Sequence, residues 1–199
     1  MSVQLFGEDT LFLQRFLQGA GFYKAKLDGI HGEKTDAAIN AFEERTMEIV
    51  ADLGKFDSRS EKSIGSLHPK AQQAAREFLK KVLDAGIEAR IISGTRTYAE
   101  QNTLFRQGRS GNPPPKVTNA RGGQSNHNFG IAWDIGIFKN GAYLGESPLY
   151  DKAAEAGLTA ELEWGGNWKS FKDKPHYQLA TGLILAGVRG KFEDGQAIV

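Results

Sequence analysis

The 199-residue chain contains no cysteine. That excludes disulfides, thiol nucleophiles and thiolate-bound zinc together, and it leaves histidine and carboxylates as the ligands open to a metal. Histidine itself is scarce, with four in the chain. No stretch approaches the eighteen or so consecutive apolar residues of a membrane-spanning helix. The opening MSVQLFGEDTLFLQRF lacks a basic segment followed by an apolar core, so no secretory leader is expected. A dominant charge is missing as well: the formal net charge is +1. Residues 1–66 hold 8 Lys/Arg against 11 Asp/Glu, and residues 67–199 hold 17 against 13, too slight an asymmetry to indicate a nucleic-acid binder. With 40% hydrophobic and 25% charged residues, the composition is that of a folded soluble protein.

What is present divides into segments. Leu13, Phe16 and Leu17 recur at helical spacing, and Ala38 and Phe42 form an i,i+4 pair in a second helix. Between them Gly29 and Gly32 mark a tight turn. Two such helices make a small core that needs a third element or another domain to lean on. Residues 46–66 follow, with Met47, Val50 and Leu53 able to continue a helix and KFDSRSEKSIGS as a polar connector. His31 in the turn and His68 before Pro69 are expected to be solvent-exposed. Ala71, Ala75, Phe78, Leu79 and Val82 then line one face of a helix over 69–85, stopped by Gly86. EARIIS is expected as a strand, Tyr98–Gln107 as a helix, GRSGNPPPK as a loop, and IAWDIGIF and HYQLA as strands. Helices and strands mix without βαβ regularity, which predicts an α+β fold: a small antiparallel sheet with helices, preceded by a small all-α module.

The strand at 131–138 carries a carboxylate in an apolar run. By parity Ile131, Trp133, Ile135 and Ile137 share the core face, while Asp134 lies on the other between Ala132 and Gly136. Small neighbours leave room for a ligand or ion beside the carboxylate; taken alone, the position equally suits an aspartate on a solvent-facing sheet. His127 sits in the polar loop SNHN just before this strand, and Gly130 lets the backbone turn there. In HYQL, parity places His176 and Gln178 on the face opposite Tyr177 and Leu179. Two histidines and an aspartate together offer three zinc ligands with a fourth position open. No local rule, however, ties Asp134 to a residue so far along the chain.

Two resemblances extend this reading. LQRFLQGAGFYKAKLDGIHGEKTDAAINAF resembles the peptidoglycan-binding type 1 module at Leu13, Gln14, Leu17, Gly21, the Asp28-Gly29-Ile30-x-Gly32 turn, Thr35, Ala38 and Phe42. SNHNFGIAWD matches the S-x-H-x-x-G-x-A-x-D signature of the D-alanyl-D-alanine carboxypeptidase-type zinc peptidases, and DKPH matches their acid-x-x-His element. SGTRTYAEQ, LFRQGR and EWGGNWKSFKDKPHYQL are similar to the L-alanyl-D-glutamate endopeptidases found among bacteriophage endolysins and sporulation or autolytic enzymes.

The second resemblance implies that His127, Asp134 and His176 bind Zn²⁺ and that Asp173 is the general base. It assigns Arg96 to the developing oxyanion or a substrate carboxylate. Ser125, Trp164 and Gln101 are expected to contact substrate, with Ser125 alternatively supporting the metal ligands. Glu163 is a rival base outside the acid-x-x-His spacing. Trp164, Gly165, Gly166 and Trp168 suit either a pocket wall or the core, and Asn167 stands where many relatives carry aspartate. The tail VRGKFEDGQAIV matches nothing.

The expected organisation is a wall-binding module over 1–48, a linker over 49–66 and a zinc peptidase domain over 67–199. The expected function is that of an endolysin, a zinc-dependent endopeptidase cutting the L-Ala–D-Glu bond of peptidoglycan stem peptides. The alternatives are a D,D-carboxypeptidase or dipeptidase acting on terminal D-Ala, and a non-catalytic zinc-containing wall-binding protein. The expected partner is peptidoglycan, with no nucleic acid and no membrane, and the chain is expected to be a monomer. It would be made in the host cytoplasm and act on the cell wall after release.

Overall fold

The computed structural model describes residues 5–6, 9–109, 111, 113 and 115–199. Ser110, Asn112 and Pro114 of the expected GRSGNPPPK loop, and six residues of the opening stretch inspected for a leader, lie outside the described residues. The helices are α1 (Thr10–Gly19), α2 (Glu33–Leu53), α3 (Ser58–Gly65), α4 (Pro69–Asp84), α5 (Tyr98–Arg106), α6 (Leu149–Gly157) and α7 (Leu185–Glu193). The strands are β1 (Ala89–Ser93), β2 (Ala132–Lys139), β3 (Ala142–Leu144), β4 (Leu162–Trp164) and β5 (His176–Leu179). This is the α+β class expected, and among the described residues no helix is long and apolar enough to cross a membrane. The chain forms two compact units, Met1–Glu43 with Arg96–Gly130 and Thr181–Val199, and Glu44–Thr95 with Ile131–Ala180.

In the first unit a buried glutamine organises the turn between α1 and α2. Gln14 Oε1 accepts the N–H groups of Asp28 (3.1 Å) and Gly29 (2.9 Å), while its Nε2 donates to Asp28 Oδ1 (2.9 Å) and the Tyr23 hydroxyl (3.1 Å). A buried amide with both ends satisfied fixes a loop in one conformation. The core of this unit is aromatic. Phe12 lies 5.1 Å from Phe192 and 5.8 Å from Tyr98, and Phe129 lies 5.3 Å from Phe192. Their tilted and edge-on geometries are those that ring quadrupoles favour. The tail that matched nothing thus forms α7, whose Val188 and Phe192, four apart, face this core.

In the second unit the sheet runs β1-β2-β5-β4, with β3 also on β2 and every pairing antiparallel. Ile131, Trp133, Ile135 and Ile137 are fully buried, as parity predicted. Helix α4 covers part of the sheet with the apolar stripe read from the sequence, its Phe78 ring 4.2 Å from Tyr177. The opposite face of β2 is enclosed too, since Ala132 is fully buried.

Residues 49–66, expected as the linker, contain the end of α2, which Val50 and Leu53 continue, and all of α3 within the stretch KFDSRSEKSIGS expected as a polar connector. Asp57 caps α3 by accepting from the N–H groups of Arg59 and Ser60, both at 3.1 Å. The polar side chains are its fastenings. Ser60 Oγ accepts from Ile91 N (3.0 Å), and Ser66 Oγ, just beyond the helix, accepts from Thr95 N (3.0 Å). Glu61 receives both terminal nitrogens of the buried Arg76 at 2.8 Å, and Arg76 Nη1 also donates to Gly54 O at 2.9 Å.

His68, expected in solvent, is half-buried and caps α4, its Nδ1 accepting from Lys70 N. Burial, and then the Lys70 charge, push its pKa from 6.5 down to about 4. A protonated ring would lose the cap and set a positive charge at a helix N-terminus. The folded pKa lies below the unfolded one, so the stabilisation is complete above pH 6.5 and is lost as pH falls toward 4. Urea unfolding at pH 7 and 4.5 is expected to show His68→Asn, which keeps a cap, losing about 1–3 kcal/mol less than wild type on acidification. Parallel losses would refute this account of His68.

Candidate metal centre

Strand register brings together two residues that lie far apart in the chain. Asp134 on β2 is directly paired with His176 on β5, and His176 Nδ1 stands 3.3 Å from Asp134 Oδ1. His127 lies on the 3₁₀ turn Asn126–Phe129, closed by Gly130 in the left-handed conformation at φ 70°. Each of the three offers one ligand atom, and these atoms lie within 4.8 Å of one another. His127 and His176 are buried and Asp134 is partly so.

The donor set fits a divalent cation. A tetrahedral ion with bonds of about 2.0–2.1 Å holds neighbouring ligands roughly 3.3 Å apart, which is the observed separation of His176 Nδ1 and Asp134 Oδ1. Two imidazoles and one carboxylate suit zinc and leave a coordination position for a substrate or water. Burial pushes His176 toward its neutral form. The hydrogen bond and charge of Asp134, with smaller contributions from Gln178 and the Asp173 charge, outweigh this and hold its pKa above the ordinary histidine value.

Asp173 begins the turn that leads into β5. Its carbonyl accepts from His176 N at 3.1 Å, and its own N–H donates to Gly165 O at 3.0 Å. A side chain at Gly165 would bring a Cβ to 2.4 Å from Asp173 O, so the two segments approach as closely as they do only because residue 165 is glycine. Trp164 fastens the same turn, its Nε1 donating to Lys174 O at 2.8 Å and its ring stacking on Tyr177. The tryptophan beside the imidazole of His176 is Trp168, at 5.0 Å between ring centroids. Its position in EWGGNWK could not be told from a core residue by spacing.

Arg96 is half-buried beside His127. Its N–H donates to His127 O at 3.0 Å, and Nη2 stands 3.4 Å from His127 Nε2. Gln101 is fully buried, with Oε1 accepting from Arg96 Nη1 (3.1 Å) and Nε2 donating to Ala120 O (3.0 Å). Both ends of its amide are thus engaged within the chain. Ser125 precedes the 3₁₀ turn and is half-buried, its carbonyl accepting from Asn128 N at 2.9 Å. Asn128, which the sequence did not single out, is fully buried and links Arg96 O (2.8 Å) to Gly123 N (3.0 Å).

A strand-mounted carboxylate and two imidazoles whose donor atoms lie within 4.8 Å of one another form a group that could hold one metal ion. The sequence pattern of the D-alanyl-D-alanine carboxypeptidase family matches residues 118–179, and that of a peptidoglycan binding domain matches residues 6–63. The chain is 37% identical over 125 residues to the peptidoglycan L-alanyl-D-glutamate endopeptidase CwlK of Bacillus subtilis, covering 57% of this chain and 73% of that protein. It also resembles the crystal structure of the Serratia marcescens L-Ala D-Glu endopeptidase ChiX, at 28% identity over 64% of this chain and 90% of that one. The TM-score there is 0.46, too loose for geometry to be carried across. The chain belongs to the peptidoglycan L-alanyl-D-glutamate endopeptidase family.

Proposed function

We propose that the protein is a zinc-dependent endolysin that hydrolyses the L-Ala–D-Glu bond of peptidoglycan stem peptides. The observation that carries this reading is the convergence of His127, Asp134 and His176 to within 4.8 Å, in a chain of this family. Wall binding is assigned to residues 1–48 and hydrolysis to residues 67–199, with residues 49–66 joining them. The enzyme is made in the host cytoplasm, reaches the wall on release and works there as a monomer.

His127, Asp134 and His176 would hold the zinc. The ion supplies Lewis acidity at the scissile carbonyl and lowers the pKa of water toward roughly 7. Asp173 takes a proton from the attacking water as the new C–O bond forms, then delivers it to the amine of D-Glu as the C–N bond breaks. Arg96, steadied by Gln101, donates to the oxygen on which negative charge develops. Trp168 offers an apolar wall beside His176 against which a stem peptide can lie, and Trp164 holds the turn behind it. Ser125 stands at the entry of the His127 turn, in a position to hydrogen-bond substrate.

Digestion of purified peptidoglycan followed by mass spectrometry tests the proposal. L-Ala is expected to remain on muramic acid with a free carboxyl, and D-Glu to appear as a new amino terminus. Release of terminal D-Ala instead would make the protein a carboxypeptidase, and no release at all would leave it a wall-binding protein.

A further inference from the structure

The two ring nitrogens of His176 face different partners. Nδ1 faces Asp134 Oδ1 at 3.3 Å, and Nε2 lies 3.0 Å from Gln178 Oε1. Gln178 is buried, and its Nε2 donates to Glu163 Oε2 at 2.7 Å across the directly paired positions of β4 and β5. An ionised carboxylate only accepts hydrogen bonds, so Glu163 requires the NH₂ end of Gln178 to point at it. The Gln178 carbonyl is thereby turned toward His176 Nε2 at 3.0 Å, an acceptor that calls for a ring N–H on that nitrogen.

From this chain we infer that Gln178, oriented by Glu163, is a positioning residue that locks His176 in the Nε2–H tautomer and so reserves the Nδ1 lone pair for the metal. The inference rests on the reading of His176 as a metal ligand and deepens it. In the neutral ring so fixed, the Nδ1 lone pair and a carboxylate oxygen face each other at 3.3 Å, two acceptors that a proton or a metal cation would bridge. A flipped Gln178 amide would turn its NH₂ toward Nε2, move the ring proton to Nδ1 and block the ligand atom. Glu163 is exposed and Gln178 is buried, so the carboxylate sets the direction of the relay and the amide exerts most of the effect. Partners of this kind fix the tautomer and orientation of a ligating histidine.

The test uses the full-length protein with two readouts. Long-range ¹H–¹⁵N NMR of the zinc-free protein, at a pH where the ring is neutral, shows which nitrogen of His176 carries the proton. Competition with a chelating dye gives the affinity for Zn²⁺. Wild type is expected to show the Nε2–H form alone. Gln178→Leu is expected to populate both tautomers and weaken zinc binding by about 10–100-fold, with Glu163→Leu producing a smaller loss. The exchanged pair Glu163→Gln with Gln178→Glu again places an acceptor on Nε2 and a donor between the strands. It is expected to restore zinc affinity to within about threefold of wild type or better, which simple damage to the sheet would not allow. A Gln178→Leu protein that keeps the Nε2–H tautomer and wild-type zinc affinity would overturn the inference. Wild type binding no zinc would overturn the metal reading instead, while the NMR would still decide whether Gln178 sets the tautomer.

Discussion

Asp173→Asn is expected to lower kcat by about 10²–10⁴-fold on soluble stem peptide while zinc content stays at the wild-type level. The two halves of this result come from separate features. Asp173 is not one of the three residues whose donor atoms converge, so removing its charge leaves the metal its ligands. Its charge is nevertheless felt by His176, and its backbone is held from both sides by Gly165 and by the His176 N–H. Asparagine can occupy the same space and keep those backbone bonds, but it cannot accept a proton from water. Metal analysis beside steady-state kinetics separates the possibilities. Wild-type turnover would remove Asp173 from the mechanism, and loss of zinc would make it part of the ligand set.

Glu61→Ala is expected to destabilise the fold by about 3–5 kcal/mol, with no change in the residues that bear the chemistry. Arg76 is 1% exposed and donates to both oxygens of Glu61, with Nη1 also donating to Gly54 O. Burial alone would raise the Glu61 pKa. The bonds from Arg76 and the Phe56 N–H, together with the Arg76 charge, more than reverse this and hold it below the ordinary glutamate value. Removing the carboxylate strands a guanidinium in the interior, which costs far more than the pair itself contributes. Replacing both partners at once, Glu61→Leu with Arg76→Met, is expected to recover most of the loss. Urea unfolding measures both variants, and a loss below about 1 kcal/mol for Glu61→Ala would show that Arg76 finds water or another acceptor.

The strongest periodic signals in the sequence were also the most dependable. Alternation in Ile131–Phe138 separated the core face from the face that bears Asp134, because one apolar side chain at every second position leaves a single register that buries them. The stripe of α4 was legible for the same reason, repeated at helical spacing. Segments with one or two inward residues were not. Helix α3 buries Ile64 and Ser60 among polar neighbours, so its composition resembled a linker, although Asp57 was a capping signal. Helix α7 was obscured by Gly187 and Gly190, and only the Val188–Phe192 pair pointed to it. Strand β4, at three residues, is too short to show alternation.

In the candidate metal centre the histidines and the aspartate were legible as residue types, and parity had already placed Gln178 on the face of His176. The pairing of Asp134 with His176 was not legible, because register between strands so far apart is set by the whole sheet. Nor was the engagement of Gln101 with Arg96, since the amide's carbonyl partner, Ala120, lies in a loop without periodicity.

The serines of the 49–66 segment have a consequence beyond holding a helix. Strand β1 ends the sheet, and a terminal strand with unused N–H groups is a template on which a second molecule can add its own strand. The outward N–H of Ile91 is occupied by Ser60 Oγ, and that of Thr95, just past the strand, by Ser66 Oγ. Helix α3 thus acts as a guard rail along the sheet's open side, occupying backbone donors on which an added strand would otherwise pair.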